Sequence, residues 1–266
     1  MDLHLKNHHV LITGGSKGIG LACAKVFLEE GAKVSLVSRD LATLEAAKQQ
    51  LSTQNPGAAA HIAIYAADLK ASDSAVAALD AAEKAFGPVD VLVNSAGAAK
   101  RVAAADLKPE NWRDAMDSKF FTYINMLDPC IKRMGARKKG VVVNVVGNGG
   151  KSPSVLHISG GSANAALMLA SAGLAAAYAP HGVRVNAVNP AATATDRLME
   201  GMKVAAKHEN ISVEQAIQKA TARVPMGRLA SPEEVADTVV YLSSSRASYV
   251  TGTIITMDGA AHPLVV

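Results

Sequence analysis

Hydrophobic positions fall in short continuous runs separated by longer stretches of helical periodicity. The runs cover 9–13, 33–38, 61–66, 89–93, 140–146, 183–188 and 253–257. Each is too short for a buried helix, and apolar residues fill successive positions rather than alternating, as strands of a parallel sheet covered on both faces require. Between them lie helical patterns at 19–29, 41–51, a segment ending at 86, about 109–134, about 159–179, 195–223 and 232–243. Gly31 stops the first and Asn55-Pro56-Gly57 breaks the second. Strand and helix alternate from end to end with no Pro/Ser-rich linker and no repeat. The expectation is α/β: a single doubly wound parallel sheet with helices on both faces, in one domain spanning 1–266.

Composition narrows the class. The chain has 266 residues, 49% hydrophobic and 19% charged, enough to bury a large core and to exclude disorder as the dominant state. Only 4% are aromatic, so small aliphatic side chains fill that core; five are tyrosines. The 27 basic and 23 acidic residues leave +4. The one dense basic cluster, Lys132, Arg133, Arg137, Lys138 and Lys139, reads as a solvated helix end, so no nucleic-acid partner is expected. Cys23 and Cys130 sit in apolar helical contexts and read as core residues. Gly and Pro punctuate the long apolar stretches, and residues 1–6 run straight into a strand without room for a signal peptide. A cytoplasmic protein without membrane or metal partners is expected.

Candidate chemistry begins at the first strand–helix turn, Thr13-Gly14-Gly15-Ser16-Lys17-Gly18-Ile19-Gly20. Glycines there permit the tight turn, let backbone approach a pyrophosphate and let the helix pack close to the strand. The helix N-terminus offers unpaired N–H groups to phosphates. This is the dinucleotide-binding signature of a Rossmann-type sheet. The second strand ends Ser38-Arg39-Asp40. Arg39 offers a planar cation for a 2′-phosphate, Lys17 a second, and Asp40 reads as a helix N-cap, so NADP(H) is preferred over NAD(H).

These motifs, with others further along, resemble the short-chain dehydrogenase/reductase family over nearly the whole chain. Thr13 to Gly20 matches its Thr-Gly-x-x-x-Gly-x-Gly turn. Asp68-Leu69 resembles its adenine-contacting pair, and Asn94-Ser95-Ala96-Gly97 its Asn-Asn-Ala-Gly motif with Ser for one Asn. Asn189-Pro190-Ala191 stands where the family has Asn-Pro-Gly, and the segment from Pro232 to Gly259 also matches. The resemblance implies cofactor contacts at Gly14, Ser16, Lys17, Gly18, Ile19, Gly20, Arg39, Asp68, Leu69, Asn94, Ala96, Gly97 and Pro190. It further implies Thr195 on the nicotinamide carboxamide with Thr193 beside it, a substrate lid at about 195–223, a small-molecule substrate, and a homotetramer or homodimer.

The family's chemistry uses Asn, Ser, Tyr and Lys, and all four positions differ here. Lys119 replaces the Asn, Gly147 the Ser, Gly160 the Tyr and Asn164 the Lys. No misalignment hides the missing pair: four residues after the five tyrosines come Leu69, Leu127, Gly182, Ser245 and Thr253, so no Tyr-x-x-x-Lys exists. Gly147 and Gly160 have no side chain to move a proton, although their N–H groups can still bind an oxyanion. Lys119 and Asn164 are an exchange of types within one neighbourhood, and Lys119 is expected to reach the space vacated at 164. His157, one turn before Gly160, is the candidate replacement acid, and Lys100 and Arg101 flank the site with positive charge. The expected activity is an NADP(H)-binding oxidoreductase acting on a carbonyl or alcohol through a non-standard site. The alternatives are a silent nucleotide-binding subunit, perhaps paired with a related active chain, and non-redox chemistry in a reused site.

Overall fold

The computed structural model describes residues 1–97 and 99–263. Seven parallel strands form one sheet: β1 (His9–Thr13), β2 (Lys33–Ser38), β3 (Ile62–Ala66), β4 (Val91–Asn94), β5 (Gly140–Val145), β6 (Val183–Pro190) and β7 (Ile254–Met257). Their spatial order is β3-β2-β1-β4-β5-β6-β7. The order reverses between β1 and β4, which pair from Val10↔Val91 to Thr13↔Asn94. Crevices at such switch points, beyond the carboxyl ends of the strands, are where doubly wound sheets hold ligands.

The helices follow the apolar periodicity. On one face α1 (Gly18–Glu29) packs against α9 (Pro232–Ser243), burying Cys23 and Phe27 with Val235 and Val239. Also described are α2 (Leu41–Gln54), α3 (Ser72–Phe86), α4 (Pro109–Ala115), α5 (Thr122–Ala136), α6 (Ile158–Tyr178), α7 (Asp196–Glu209) and α8 (Val213–Ala222). Leu79, Met126, Cys130 and Met134 of α3 and α5 cover the other face with Leu92 and Val142. Burial pushes both cysteine thiols up to about 12, so they stay protonated core groups. α6 is long and apolar enough to cross a membrane, yet Ser159, Ala163, Leu167, Ser171 and Ala175, spaced four apart, are buried.

Two helical expectations need correcting. The stretch 109–134 is not one helix: a π-helical turn, Met116–Phe121, separates α4 from α5. The stretch 195–223 is two helices. Asn210 closes α7 in the left-handed region (φ +53°), and Ser212 opens α8 with a capping box to Gln215. Some strand ends shift by one or two residues; β4 begins at Val91 rather than 89, and β6 continues to Pro190.

Candidate active site

The glycine turn leaves β1 and opens α1. Gly14 sits at φ +68°, its N–H donating to the Val37 carbonyl at 2.8 Å, and a Cβ at Gly20 would overlap the Gly14 carbonyl. That overlap fixes glycine where helix and strand approach most closely. Lys17 is the extended N-cap of α1 and makes no side-chain cap bond, so the N-terminal amides of α1 lack a side-chain acceptor from their cap. The Cγ2 of Thr195 lies 3.4 Å from where a Cβ on Gly18 would stand, so the start of α7 faces the turn. Thr195 caps α7, accepting from Leu198 N–H at 3.3 Å, and Thr193 is buried beside it. Arg39 is exposed at the end of β2, while Asp40 accepts from Thr43 N–H at 2.7 Å as the cap of α2. Leu69 is buried and Asp68 accepts from Lys70 N–H. An open glycine turn, helix amides free of a cap and an exposed Arg39 fit a dinucleotide with a 2′-phosphate.

A buried polar chain stiffens the floor. Thr13 Oγ1 accepts from Ser95 and Ala96 N–H at 3.1 and 3.2 Å and donates to Asn94 Oδ1. Asn94 Nδ2 donates to Asn144 Oδ1 at 3.1 Å, and Asn144 Nδ2 to Ser171 Oγ at 2.9 Å. Four elements, β1, β4, β5 and α6, are thereby fixed in register just beneath the crevice.

Beyond β5 the chain turns at Gly147, whose φ of +115° strains any other residue. A Cβ there would lie 3.3 Å from Asn164 Nδ2, so the Asn164 amide borders the volume a side chain at 147 would enter. The parallel relationship holds at Gly160: a Cβ there would overlap Cε1 and Nε2 of the His157 imidazole. Asn164 Nδ2 and His157 Cδ2 each lie 3.5 Å from a third point, the Cβ position of Gly149. Asn164, His157 and the two glycines therefore share one small space. His157 Nδ1 is buried and has no hydrogen-bond partner among the described residues. Burial first, then the positive charges of Arg101, Arg197 and Lys119, pull its pKa down to about 4.

Lys119 sits in the π-helical turn, 6% exposed. Its Nζ donates to Tyr123 Oη at 2.8 Å and to the Val145 carbonyl at 3.2 Å; Tyr123 Oη donates to the same carbonyl. Burial, assisted by Arg197, holds this amine well below the usual lysine range, and burial pushes the Tyr123 phenol up. Lys119 thus reaches the end of β5, two residues before Gly147, while Asn164 approaches Gly147 from α6. Sequence reasoning passed over Tyr123 because it sought Lys four residues after Tyr; here Lys precedes Tyr by four, a spacing that lays both on one helix face. Arg197 was also missed. Its Nη1 donates to the Gly97 carbonyl at 2.6 Å, tying α7 to the loop after β4.

A family model described as short chain dehydrogenase matches residues 8–206. The 3alpha-hydroxysteroid dehydrogenase of Mediterraneibacter gnavus is 34% identical over 269 residues, covering 98% of this chain and 100% of that protein. The crystal structure of an actinorhodin polyketide ketoreductase variant with NADPH superposes with a TM-score of 0.91 at 28% identity, over 96% of this chain and 98% of that one. An NADPH-bound short chain oxidoreductase of Pseudomonas aeruginosa, described as containing an atypical catalytic center, superposes with a TM-score of 0.88 at 27% identity, over 98% and 99% of the two chains.

Proposed function

We propose that this chain, which belongs to the short-chain dehydrogenase family, is an NADP(H)-dependent oxidoreductase that interconverts a carbonyl and an alcohol on a small molecule. In this reading His157 and Asn164 work where the family's Tyr and Ser side chains do. One observation carries it: the His157 imidazole fills the volume above Gly160, as the Asn164 amide borders that above Gly147.

The glycine turn from Gly14 to Gly20 and the amides opening α1 would hold the pyrophosphate, Arg39 and Lys17 the 2′-phosphate, and Thr195 the carboxamide. NADPH-bound neighbours support this preference. When bound, the cofactor supplies the hydride for the carbonyl carbon.

The chain's residues handle the oxygen. Neutral His157 accepts the proton of a substrate alcohol, and protonated His157 returns one to the alkoxide oxygen in the reverse direction. The Asn164 amide donates a hydrogen bond to that oxygen. Lys119, anchored by Tyr123, fixes the floor beneath them. α7 and α8, joined to the site through Arg197, form a lid that excludes water. An apolar groove between α5 and α6, lined by Ile124, Leu127, Ile131, Leu174 and Tyr178, supports pairing of two copies, which light scattering in solution reads directly.

The test is NADPH consumption across a panel of ketones and aldehydes. His157→Ala should lower kcat by about 10²–10⁴ with NADPH affinity retained. Undiminished turnover in that variant removes His157 from the reaction.

A further inference from the structure

The charged side chains around the site are unequally matched. Other cations pair with carboxylates: Lys100 and Lys70 reach Asp114 at 3.7 and 3.5 Å, and Arg133 holds Asp80 and Glu83. Arg101 and Arg197 do not. Among the described residues Arg101 makes no ion pair and no side-chain hydrogen bond, and the one bond of the Arg197 side chain goes to the Gly97 carbonyl. Glu200 is the only carboxylate whose charge bears on Arg197, and it forms no ion pair with it among the described residues.

The two guanidiniums are also brought together. Nε of Arg101 lies 3.0 Å, and Nη2 3.4 Å, from where a Cβ on Gly201 would stand. Gly201 is four residues after Arg197, so both positions lie on one face of α7. A side chain at 201 would push Arg101 away; glycine lets its guanidinium lie flat on the lid helix, one turn from Arg197. Their field reaches His157, and the third cation in that field, Lys119, is buried beneath.

We propose that Arg101 and Arg197 form an anion clamp, so that the substrate is a carbonyl compound or alcohol bearing a carboxylate or phosphate remote from the reacting carbon. This rests on the oxidoreductase reading and names the substrate class for the same site. Two planar forks side by side on α7, one reaching it from the loop after β4 and one carried by the helix, suit the oxygens of either anion. The anion lies between the loop after β4 and α7, so binding it draws the lid toward the sheet. Its negative charge also offsets the cations that, after burial, depress the His157 pKa, moving the imidazole back toward its ordinary range as substrate arrives.

The experiment uses NADPH-saturated protein and matched pairs: levulinate with methyl levulinate, oxoglutarate with its dimethyl ester, dihydroxyacetone phosphate with dihydroxyacetone. Binding is read by calorimetry and reduction by NADPH absorbance. The expected result is binding of at least one anion over its neutral partner by about tenfold or more, with the preference lost in both Arg101→Gln and Arg197→Gln. The carboxylate and phosphate arms identify which anion is used. Equal binding within every pair overturns the clamp. So does a loss of NADPH affinity in the two variants with the preference intact, which would assign the arginines to the cofactor phosphates. Anion binding lost in the variants without NADPH consumption by any compound retains the clamp and removes the reductase reading. Reduction without preference for charge does the reverse.

Discussion

The His157 imidazole and a side chain at position 160 exclude each other. A single methyl on Gly160 would overlap the ring and also press on Ala99 Cβ at 2.8 Å. Gly→Ala inside a helix ordinarily stabilises by about 0.5–1 kcal/mol. Here Gly160→Ala should instead destabilise by about 1–3 kcal/mol, the usual cost of overpacking. In a His157→Ala background that cost should fall by about 1 kcal/mol or more, since the two nearest atoms, both on the imidazole, are then gone. Urea unfolding of the four proteins measures it; an unchanged cost shows that the ring does not hold this space.

His157 also makes stability depend on pH with a defined sign. Its folded pKa of about 4 lies below the unfolded value of 6.5. Its contribution is complete above 6.5 and is lost as pH falls toward 4, because only the unfolded chain takes up the proton there. The shift corresponds to on the order of 2 kcal/mol after allowing for partial exposure. Comparing unfolding at about pH 7.5 and pH 4.5, wild type should lose that much more than His157→Gln. An equal loss in both proteins contradicts the depressed pKa.

Lys119 separates stability from activity. A buried amine is costly to desolvate, and an apolar side chain of similar length is often neutral or stabilising in its place. Lys119→Met should therefore change stability by less than about 1 kcal/mol while lowering turnover. Tyr123→Phe should cost about 1–2 kcal/mol, because it leaves the amine with the Val145 carbonyl as its one protein partner. Thermal unfolding beside steady-state rates distinguishes the two, and a marked loss of stability in Lys119→Met would assign the lysine to structure alone.

Cofactor choice is a third readout. Arg39 is exposed and makes no ion pair among the described residues, so Arg39→Ala should leave the fold unchanged. It should weaken NADPH by about tenfold or more while altering NADH by less than about threefold. Fluorescence titration with each nucleotide measures both, and equal losses would place Arg39 away from the 2′-phosphate.

The buried chain from Thr13 to Ser171 is open to the same approach. Asn144→Ala removes its middle member and leaves the Asn94 Nδ2 without its acceptor, while the Ser171 hydroxyl keeps its donation to the Leu167 carbonyl at 2.7 Å. The expected cost is about 1–3 kcal/mol, one buried amide losing its acceptor, read from urea midpoints.

Parts of this site were legible in residue order because they depend on local rules. Continuous apolar runs gave parallel strands, the Thr13–Gly20 spacing gave the phosphate turn, and Asp40 after a strand gave a helix cap. What the sequence left out is contact across the fold. Nothing in the order of residues reveals that Arg101 lies on Gly201, or that His157 bends back over Gly160, since both depend on how loops settle on finished elements. The Asn94–Asn144–Ser171 chain requires knowing that β4 and β5 are neighbours. Tyr123 was within reach: Lys119 four residues before it is a helix-face pair that a search in either direction finds.

The π-helical turn at Met116–Phe121 bears on how such a site can be altered. A wide turn inside a helix is one residue longer than its regular counterpart, so it is equivalent to an insertion absorbed without breaking the helix. Deleting a single residue from the turn would let α4 and α5 merge into one regular helix whose two halves keep their faces, so that only the residues of the turn itself are re-phased. A deletion after Lys119 would bring it three residues from Tyr123 instead of four and so re-aim its amine against the Val145 carbonyl, while the sheet kept every strand. The length of one segment, and not only the identity of its residues, thus decides where an amine stands beneath the crevice.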